Sequence, residues 1–179
     1  MDVKNIIIEG CDGTGKTTLC KKLAERYGWD IVHVTSKDPN DFDFYRQTMR
    51  KTNVVFDRHF IGEMIYPQIY NRKGNLDRHD LEYFIHQSYK EKCPVIVLTT
   101  DLEEIHRRLS VRGEEKFVAE KIETINKQFL SIALKYGLQV FDTAQNSFEE
   151  ICGYIENWGT MKDFVQRGGF ALRTTDETV

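Results

Sequence analysis

The first strand-like segment of the chain runs directly into a glycine-rich loop, Ile6-Ile7-Ile8-Glu9-Gly10-Cys11-Asp12-Gly13-Thr14-Gly15-Lys16-Thr17-Thr18. From Gly10 to Thr17 it fits the pattern G-x-x-x-x-G-K-[ST] of a phosphate-binding loop. Its three glycines let the backbone turn N–H groups inward, Lys16 adds a mobile cation for the outer phosphates, and the Thr17 hydroxyl can ligate Mg²⁺. The loop, including Thr14 and Thr18, is therefore predicted to hold nucleotide phosphates.

The residues around the loop favour this interpretation over a glycine-rich turn ahead of a helix. An apolar strand precedes the loop, and the amphipathic stretch 17–27 follows it. A lysine at a helix N-terminus is disfavoured by the helix dipole unless an anion is bound. Lys16 thus argues for a bound phosphate.

Size and composition exclude several classes of protein. The chain has 179 residues, which suits one domain, and its net charge of −3 provides no basic surface for a nucleic acid. A free, small-molecule nucleotide is the expected partner. Four cysteines lack a C-x-x-C pair and the N-terminus lacks a signal peptide, so we expect reduced thiols and a cytoplasmic location. No apolar run reaches the roughly 18–20 residues of a membrane span, so no membrane association is expected.

Apolar segments alternate with helical ones along the chain. The predicted strands are 4–9, 31–35, 53–57, 94–99 and 139–142. They are apolar without a two-residue rhythm, which is typical of a parallel sheet covered on both faces. We therefore predict a doubly wound α/β domain built on a five-stranded parallel sheet.

Ligands of such sheets bind beyond the carboxyl ends of the strands, so polar residues after each strand are functional candidates. This rule selects Asp12, Asp38, Asp57, Arg58, Asp101 and Asp142. Asp57 can hold a Mg²⁺-bound water or accept a proton, and the planar fork of Arg58 suits a phosphate. The alternative is an Asp–Arg surface pair that caps a helix.

At this point the motifs resemble those of the thymidylate kinases. The loop 9–18 has that family's form, and Asp57-Arg58-His59 resembles its D-R-[HYF] motif. Asp142-Thr143-Ala144-Gln145 is similar to the D-A-S-Q segment that flanks adenine, and Arg108 to Gly113 lie where the family carries an arginine-bearing lid. The resemblance covers residues 6 to about 158, and implies the fold of P-loop kinases with ATP and Mg²⁺ as cofactors.

The resemblance also implies a role for individual residues. Asp12 would face the 3′-hydroxyl of the acceptor sugar, Arg58 would hold the acceptor phosphate, and Tyr66 would lie near the sugar. Because the loop carries Gly13 where some relatives have arginine, a lid at about 107–117 must supply the catalytic cation through Arg108 and Arg112. The alternative for these arginines is a solvated helix face. Ala144 and Gln145 would flank the adenine, and a homodimer is expected.

Departures from the family pattern fall in the part that would bind the acceptor base. Lys37 follows the second strand where the family has T-R-E-P-G-G, and 40–53 is too short for the family's usual helical segment. One of six clustered aromatic residues is expected to stack on the base, with Phe42 and Tyr66 as the first candidates: Phe42, Phe44, Tyr45, Phe60, Tyr66 and Tyr70. Tyr66 and Tyr70 would also share one helical face in simple packing. The pattern favours a divergent, phage-type enzyme for dTMP, dUMP or a modified pyrimidine, with a kinase domain over 1–158 and a poorly ordered extension over 159–179.

The predicted reaction is transfer of the ATP γ-phosphoryl group to a deoxynucleoside 5′-monophosphate. Lys16, Arg58, Arg108 and Arg112 would spread the transferred charge, and Thr17 and Asp57 would hold Mg²⁺. Two alternatives remain open. A deoxynucleoside kinase would use Asp57 as the base for a sugar hydroxyl, and a nucleotide-binding switch would need the loop alone.

Overall fold

One parallel sheet organises the chain. The computed structural model of the protein describes residues 2–113 and 119–166. The strands are β1 Asn5–Glu9, β2 Asp30–His33, β3 Val54–Asp57, β4 Val95–Thr99 and β5 Gln139–Asp142. They pair in the order β2-β3-β1-β4-β5, and every pair is parallel. The predicted α/β fold is confirmed, and the bounds of its strands differ from those predicted by two residues at most.

Helices cover both faces of the sheet. They are α1 Lys16–Tyr27, α2 Phe42–Thr48, α3 Phe60–Ile69, α4 Arg78–Lys90, α5 Leu102–Val111, α6 Ala119–Tyr136 and α7 Phe148–Gln166. The helices α1 and α7 pack into one apolar core, and α3, α4, α5 and α6 pack into the other. This is the doubly wound arrangement that apolar parallel strands require.

The central strand β1 shows why the strands read as continuous apolar runs. Ile7 points into one core, whereas Ile6 and Ile8 point into the other, and all three are fully buried. Each such side chain contributes about 1.5–3 kcal/mol by burial. Both faces of the strand therefore need apolar residues, and the glycine-rich loop emerges from the centre of the sheet.

The edge strand β2 departs from this pattern. Most of its residues are exposed, and Ile31 keeps 42% of its surface accessible. As the first strand in the sheet order, β2 pairs only with β3. The burial of interior strands is therefore greater than that of this edge strand.

Two regions differ in detail from the expectations. The short segment after Asn40 does form a helix, α2, of seven residues, whose N-terminus Asp41 caps by accepting the N–H of Phe44. At the other end of the chain, α7 continues to Gln166, past the predicted boundary at 158. The remainder of the predicted extension, 167–179, lies outside the described residues. Within the described ranges, none of the helices has both the length and the apolar character needed to cross a bilayer.

Candidate active site

The loop between β1 and α1 has the geometry of a phosphate cradle. Gly10 has φ +137°, and a Cβ there would lie 2.4 Å from the carbonyl oxygen of Leu98 on β4. Gly13 has φ +84°, and a Cβ there would lie 3.0 Å from Ile105 on α5. Both positions exclude larger residues, because the backbone conformation and the close approach each require glycine. The packing against α5 also explains why no arginine stands at position 13.

The first turn of α1 lacks a side-chain cap. Gly15 at its N-cap position offers no acceptor, so the first N–H groups of the helix are open to an anion. Lys16 is buried, and its ammonium group donates to the Cys11 carbonyl at 2.7 Å. Thr14 donates to the same oxygen at 2.8 Å. Burial lowers the pKa of Lys16, and Asp12, 4.0 Å from its ammonium group, opposes that shift, so a bound phosphate would add a further counter-charge.

Asp57, at the end of β3, fits the chemistry of a magnesium site. Its Oδ2 accepts from the Thr17 hydroxyl at 2.7 Å and lies 3.1 Å from Nδ1 of His33. Its Oδ1 is buried and has no hydrogen-bond partner within the described part of the chain. A buried carboxylate oxygen left unpaired beside a threonine hydroxyl suits a hard cation that also binds phosphate oxygens. The structure thus brings Thr17 and Asp57 together as the sequence predicted.

Arg58 turns back over the phosphate loop. Its φ is +73°, a conformation that is uncommon for a residue with a Cβ and that clusters at functional sites. The guanidinium contacts the Asp12 carboxylate and lies 5.2 Å from the centre of the Tyr66 ring. The Tyr66 hydroxyl donates to the other oxygen of Asp12 at 3.3 Å. The three residues that the resemblance assigns to the acceptor therefore form one cluster.

This cluster lies in a cavity of about 450 Å³ on the β2 side of the phosphate loop. Its lining residues come from the loop, from the segment after β2 and from α3, and they are Asp12, His33, Val34, Thr35, Ser36, Asn40, Tyr45, Arg58, His59, Gly62, Glu63, Tyr66, Tyr70 and Arg72. Asp12, Arg58, Tyr66 and Tyr70 were predicted. We call this space the acceptor cavity.

Two predicted acceptor residues do not line this cavity. Phe42 packs its ring 4.9 Å from Tyr83 and 5.0 Å from Phe84, so it belongs to the core beside α4. Lys37 is exposed on the turn after β2. The geometry does not support base stacking by Phe42, because α2 directs that side chain toward other aromatic rings.

A second cavity of about 240 Å³ lies on the opposite side of the loop, against α5 and α7. It is lined by Gly15, Thr18, Leu19, Lys22, Arg108, Arg112, Thr143, Asn146, Phe148 and Ile151. We call it the donor cavity. The predicted Ala144 and Gln145 are not among these residues, since the turn after β5 presents their neighbours Thr143 and Asn146 instead.

Arg108 joins the phosphate loop to this turn. Its guanidinium donates to the Gly13 carbonyl at 3.0 Å and to the Thr143 hydroxyl at 3.2 Å, while Glu104 accepts from its Nε at 2.6 Å. Arg112 lines the same cavity one helical turn further on. The structure therefore brings both predicted arginines to the donor side. Residues 107–113 of the predicted lid belong to the end of α5 and the following turn, and 114–117 lie outside the described residues.

Sequence reasoning missed Glu9, which links the phosphate loop to α3. Its Oε1 accepts the backbone N–H groups of His59 at 3.1 Å and Ile61 at 2.9 Å. Burial raises the pKa of Glu9 to about 7, although the hydrogen bonds from α3 oppose that shift. Its position between Ile8 and Gly10 could have identified it, because the carboxylate is the last residue of a buried strand.

His59 is a packed core residue. Its ring lies among aromatic side chains, 4.8 Å from Tyr45 and 4.9 Å from Phe56, and its Nε2 lies 2.9 Å from the Thr48 hydroxyl. Burial lowers its pKa to about 3. The imidazole is therefore neutral at pH 7.

Comparison with known sequences gives a family match and several relatives. Residues 6–126 match the AAA domain family. The SPbeta prophage-derived protein YorR of Bacillus subtilis (strain 168) is 29% identical over 154 residues, which cover 82% of this chain and 93% of YorR. A probable thymidylate kinase of Methanococcus maripaludis (strain C7) is 26% identical over 200 residues, with coverage of 86% of this chain and 94% of that protein.

Solved structures share the fold. The crystal structure of YorR in complex with phosphorylated GDP has a TM-score of 0.72 at 23% identity and covers 91% of this chain and 98% of that one. Deoxyadenosine kinase from M. mycoides with bound dCTP has a TM-score of 0.55 at 22% identity, with coverage of 88% and 99%. The architecture is thus one that a deoxynucleoside kinase also has.

Proposed function

The chain belongs to the AAA domain family of P-loop proteins, and from that premise we propose that it is a nucleotide kinase that transfers the γ-phosphoryl group of ATP to a deoxynucleoside 5′-monophosphate. The single observation that carries the choice of acceptor is the placement of two neighbours at the end of β3. Arg58 lines the acceptor cavity, whereas Asp57 is buried against Thr17 and is not among the lining residues. A cation there suits an anionic acceptor.

The two cavities would bind different substrates. ATP would place its base and ribose in the donor cavity beside Thr143 and Phe148, and its phosphates along the loop. The monophosphate would occupy the acceptor cavity, where Arg58 exchanges Asp12 for phosphate oxygens. Asp12 would then be free to accept from the sugar 3′-hydroxyl.

The chemistry needs charge neutralisation more than a base. A phosphate monoester has a second pKa near 6, so the acceptor is largely dianionic at pH 7. Lys16, Arg58 and Arg108 would spread the negative charge that moves during transfer. Mg²⁺, which Thr17 and Asp57 would hold, neutralises charge on the phosphates when it is bound.

The resemblance to thymidylate kinases, taken alone, points to dTMP, dUMP or a modified pyrimidine monophosphate as the acceptor. The names of relatives such as the Methanococcus protein favour this assignment. The segment after β2, which departs from the family pattern, contributes Thr35, Ser36 and Asn40 to the acceptor cavity.

A parallel assay of deoxynucleosides and their 5′-monophosphates, followed by the release of ADP and by chromatography of the products, tests the proposal. We expect kcat/KM for at least one monophosphate to exceed that for its nucleoside by more than about 100-fold, since Arg58 gains charge-assisted hydrogen bonds only from the phosphate. Phosphorylation of nucleosides with inert monophosphates would establish the nucleoside kinase instead. ATP binding without transfer to any acceptor would establish a nucleotide-binding switch.

A further inference from the structure

A buried carboxylate and a guanidinium lie side by side in the wall of the acceptor cavity. Glu63 of α3 is 5% exposed, and its Oε1 accepts the backbone N–H of Asn75 at 3.2 Å. Its Oε2 lies 3.6 Å from the guanidinium of Arg72, in the turn after α3. That separation is longer than a hydrogen bond. Both side chains line the cavity and retain capacity for a ligand.

This pair is separate from the phosphate-binding cluster. Glu63 contacts Arg72 and the backbone N–H of Asn75, both in the segment after α3. Arg58 and Tyr66 contact the two oxygens of Asp12 instead. The cavity thus has a phosphate end at the loop and a second polar end at Glu63 and Arg72.

Two other polar side chains that line the cavity, Tyr45 and Asn40, are already paired. The Tyr45 hydroxyl donates to Oδ1 of Asn40 at 2.6 Å. The amide nitrogen of Asn40 donates to the carbonyl oxygens of Thr35 and Asp38, each at 2.8 Å. A polar ligand edge placed here would therefore meet Glu63 as an acceptor and Arg72 as a two-pronged donor.

We propose that Glu63 and Arg72 select the base of the acceptor nucleotide, and that they favour a base whose edge carries two adjacent acceptors beside a donor. Guanine has such an edge, with N7 and O6 next to N1–H and N2–H₂, and cytosine has one, with O2 and N3 next to N4–H₂. Adenine, thymine and uracil alternate acceptor, donor and acceptor. On an alternating edge, the adjacent donors of Arg72 and the carboxylate of Glu63 cannot all be matched. One donor then faces a donor of the base, or one acceptor faces an acceptor.

This inference rests on the proposed function for the position of the nucleotide, and it differs from the sequence-based expectation for dTMP and dUMP. Calorimetric titration of the whole protein with dGMP, dCMP, dAMP, dTMP and dUMP tests it without requiring turnover. We expect dGMP, dCMP or both to bind about 10–100-fold more tightly than the other three, which is the discrimination of a good bidentate contact. The separate titrations with dGMP and dCMP identify which of the two bases is preferred.

Glu63→Gln supplies the second test, because an amide both donates and accepts and suits an alternating edge. We expect the preference for dGMP or dCMP to fall at least tenfold, with the KM for ATP unchanged. Arg72→Gln should act in the same direction, and it provides the test if Glu63→Gln does not fold. The matched control is Glu82→Gln on α4, where Glu82 pairs with Arg78 outside the cavity.

The outcomes separate the two proposals. Tightest binding of dTMP, dUMP or dAMP, or an equal loss for all five nucleotides in Glu63→Gln, would overturn base selection and leave the kinase proposal standing. Selective binding of dGMP or dCMP without any transfer from ATP would overturn the kinase proposal and leave base selection standing. Failure of all five to bind would remove both.

Discussion

The two ends of the acceptor cavity are built from different kinds of sequence. At the phosphate end, Asp12 comes from the loop that also carries Lys16, and Arg58 stands beside the Asp57 that contacts Thr17. At the other end, Glu63 and Arg72 come from a helix and from the turn behind it. The residues of the phosphate end belong to short contiguous motifs. The residues of the second polar end, the base end, come together only through the packing of separate segments. Phosphate chemistry can therefore stay constant while base selectivity changes.

Removal of the Lys16 side chain is expected to cause the largest loss of activity at the phosphate end. Lys16→Ala should lower kcat/KM more than about 1,000-fold, equivalent to about 4 kcal/mol, because the lysine supplies the one mobile cation of the loop itself. Steady-state assays check the rate, and thermal unfolding checks that the fold persists. Lys21→Ala, an exposed lysine on the same helix, is the control and should keep wild-type activity. Activity within tenfold of wild type in Lys16→Ala would move the site elsewhere.

Glu9 joins the loop to α3, and its titration should change the free energy of unfolding as the pH changes. The folded-state pKa is raised from 4.5 to about 7, so the ligand-free protein loses stability from this group as the pH rises through that window. Glu9→Gln cannot ionise. Its unfolding free energy relative to wild type should therefore increase between pH 4.5 and 7, by up to about 3 kcal/mol.

The quantity to compare is the difference in unfolding free energy between wild type and Glu9→Gln, because the contribution of His59 to stability has the opposite dependence on pH. Its pKa is lowered to about 3, so its contribution to stability rises with pH below the ordinary value of 6.5. Denaturant unfolding of both proteins at several pH values removes the histidine contribution by subtraction. A flat difference for Glu9→Gln would mean that Glu9 is not the titrating group.

Asp57 separates the metal-binding interpretation from the general-base interpretation. Asp57→Asn should lower kcat about 100-fold, and added Mg²⁺ should recover part of the loss, since weaker metal binding is offset by mass action. Titration of activity against Mg²⁺ concentration in both proteins makes the measurement. Loss of activity that Mg²⁺ does not relieve, together with good turnover of thymidine, would point to a base for a sugar hydroxyl.

Arg58 tests which substrate the phosphate end serves. Arg58→Ala should raise the KM for the acceptor about 30-fold and change ATP affinity little, because hydrogen bonds to a charged group contribute about 1.5–3 kcal/mol. Arg58→Lys should recover only part of the loss, since it keeps the charge without the fork. Arg46→Ala, at an exposed ion pair with Asp43, is the control. Collapse of ATP affinity at constant acceptor KM would reverse the assignment.

The same contrast explains what could be predicted from sequence. The five strands and the loop were predictable because each is a contiguous pattern, and Asp57 and Arg58 followed because they end a strand. Glu63 was not predictable, since its place in the cavity depends on the rotation of α3 and on the turn that carries Arg72 and Asn75. One signal was available in retrospect: Glu63 is the only charged residue within α3.

At the turn after β5, the residues that the motif names differ from those that line the donor cavity. The motif placed Ala144 and Gln145 beside the nucleotide, whereas Thr143 and Asn146 line the cavity. Asp142 determines this, because its carboxylate accepts the N–H of Ala144 at 2.8 Å and its carbonyl accepts the N–H of Gln145 at 3.1 Å. A local hydrogen-bond pattern of this kind is not evident from residue types alone.

The smallest predicted effect concerns Phe42, which sequence assigned to the base end and structure assigns to the core. Phe42→Leu should reduce the free energy of unfolding by about 1 kcal/mol, through lost ring contacts with Tyr83 and Phe84, and leave the acceptor KM within twofold of wild type. Tyr83→Leu removes the other partner of one of these contacts and should behave alike. Stacking on a base contributes about 1–3 kcal/mol, so a tenfold or greater rise in acceptor KM with unchanged stability would return Phe42 to the base end of the cavity.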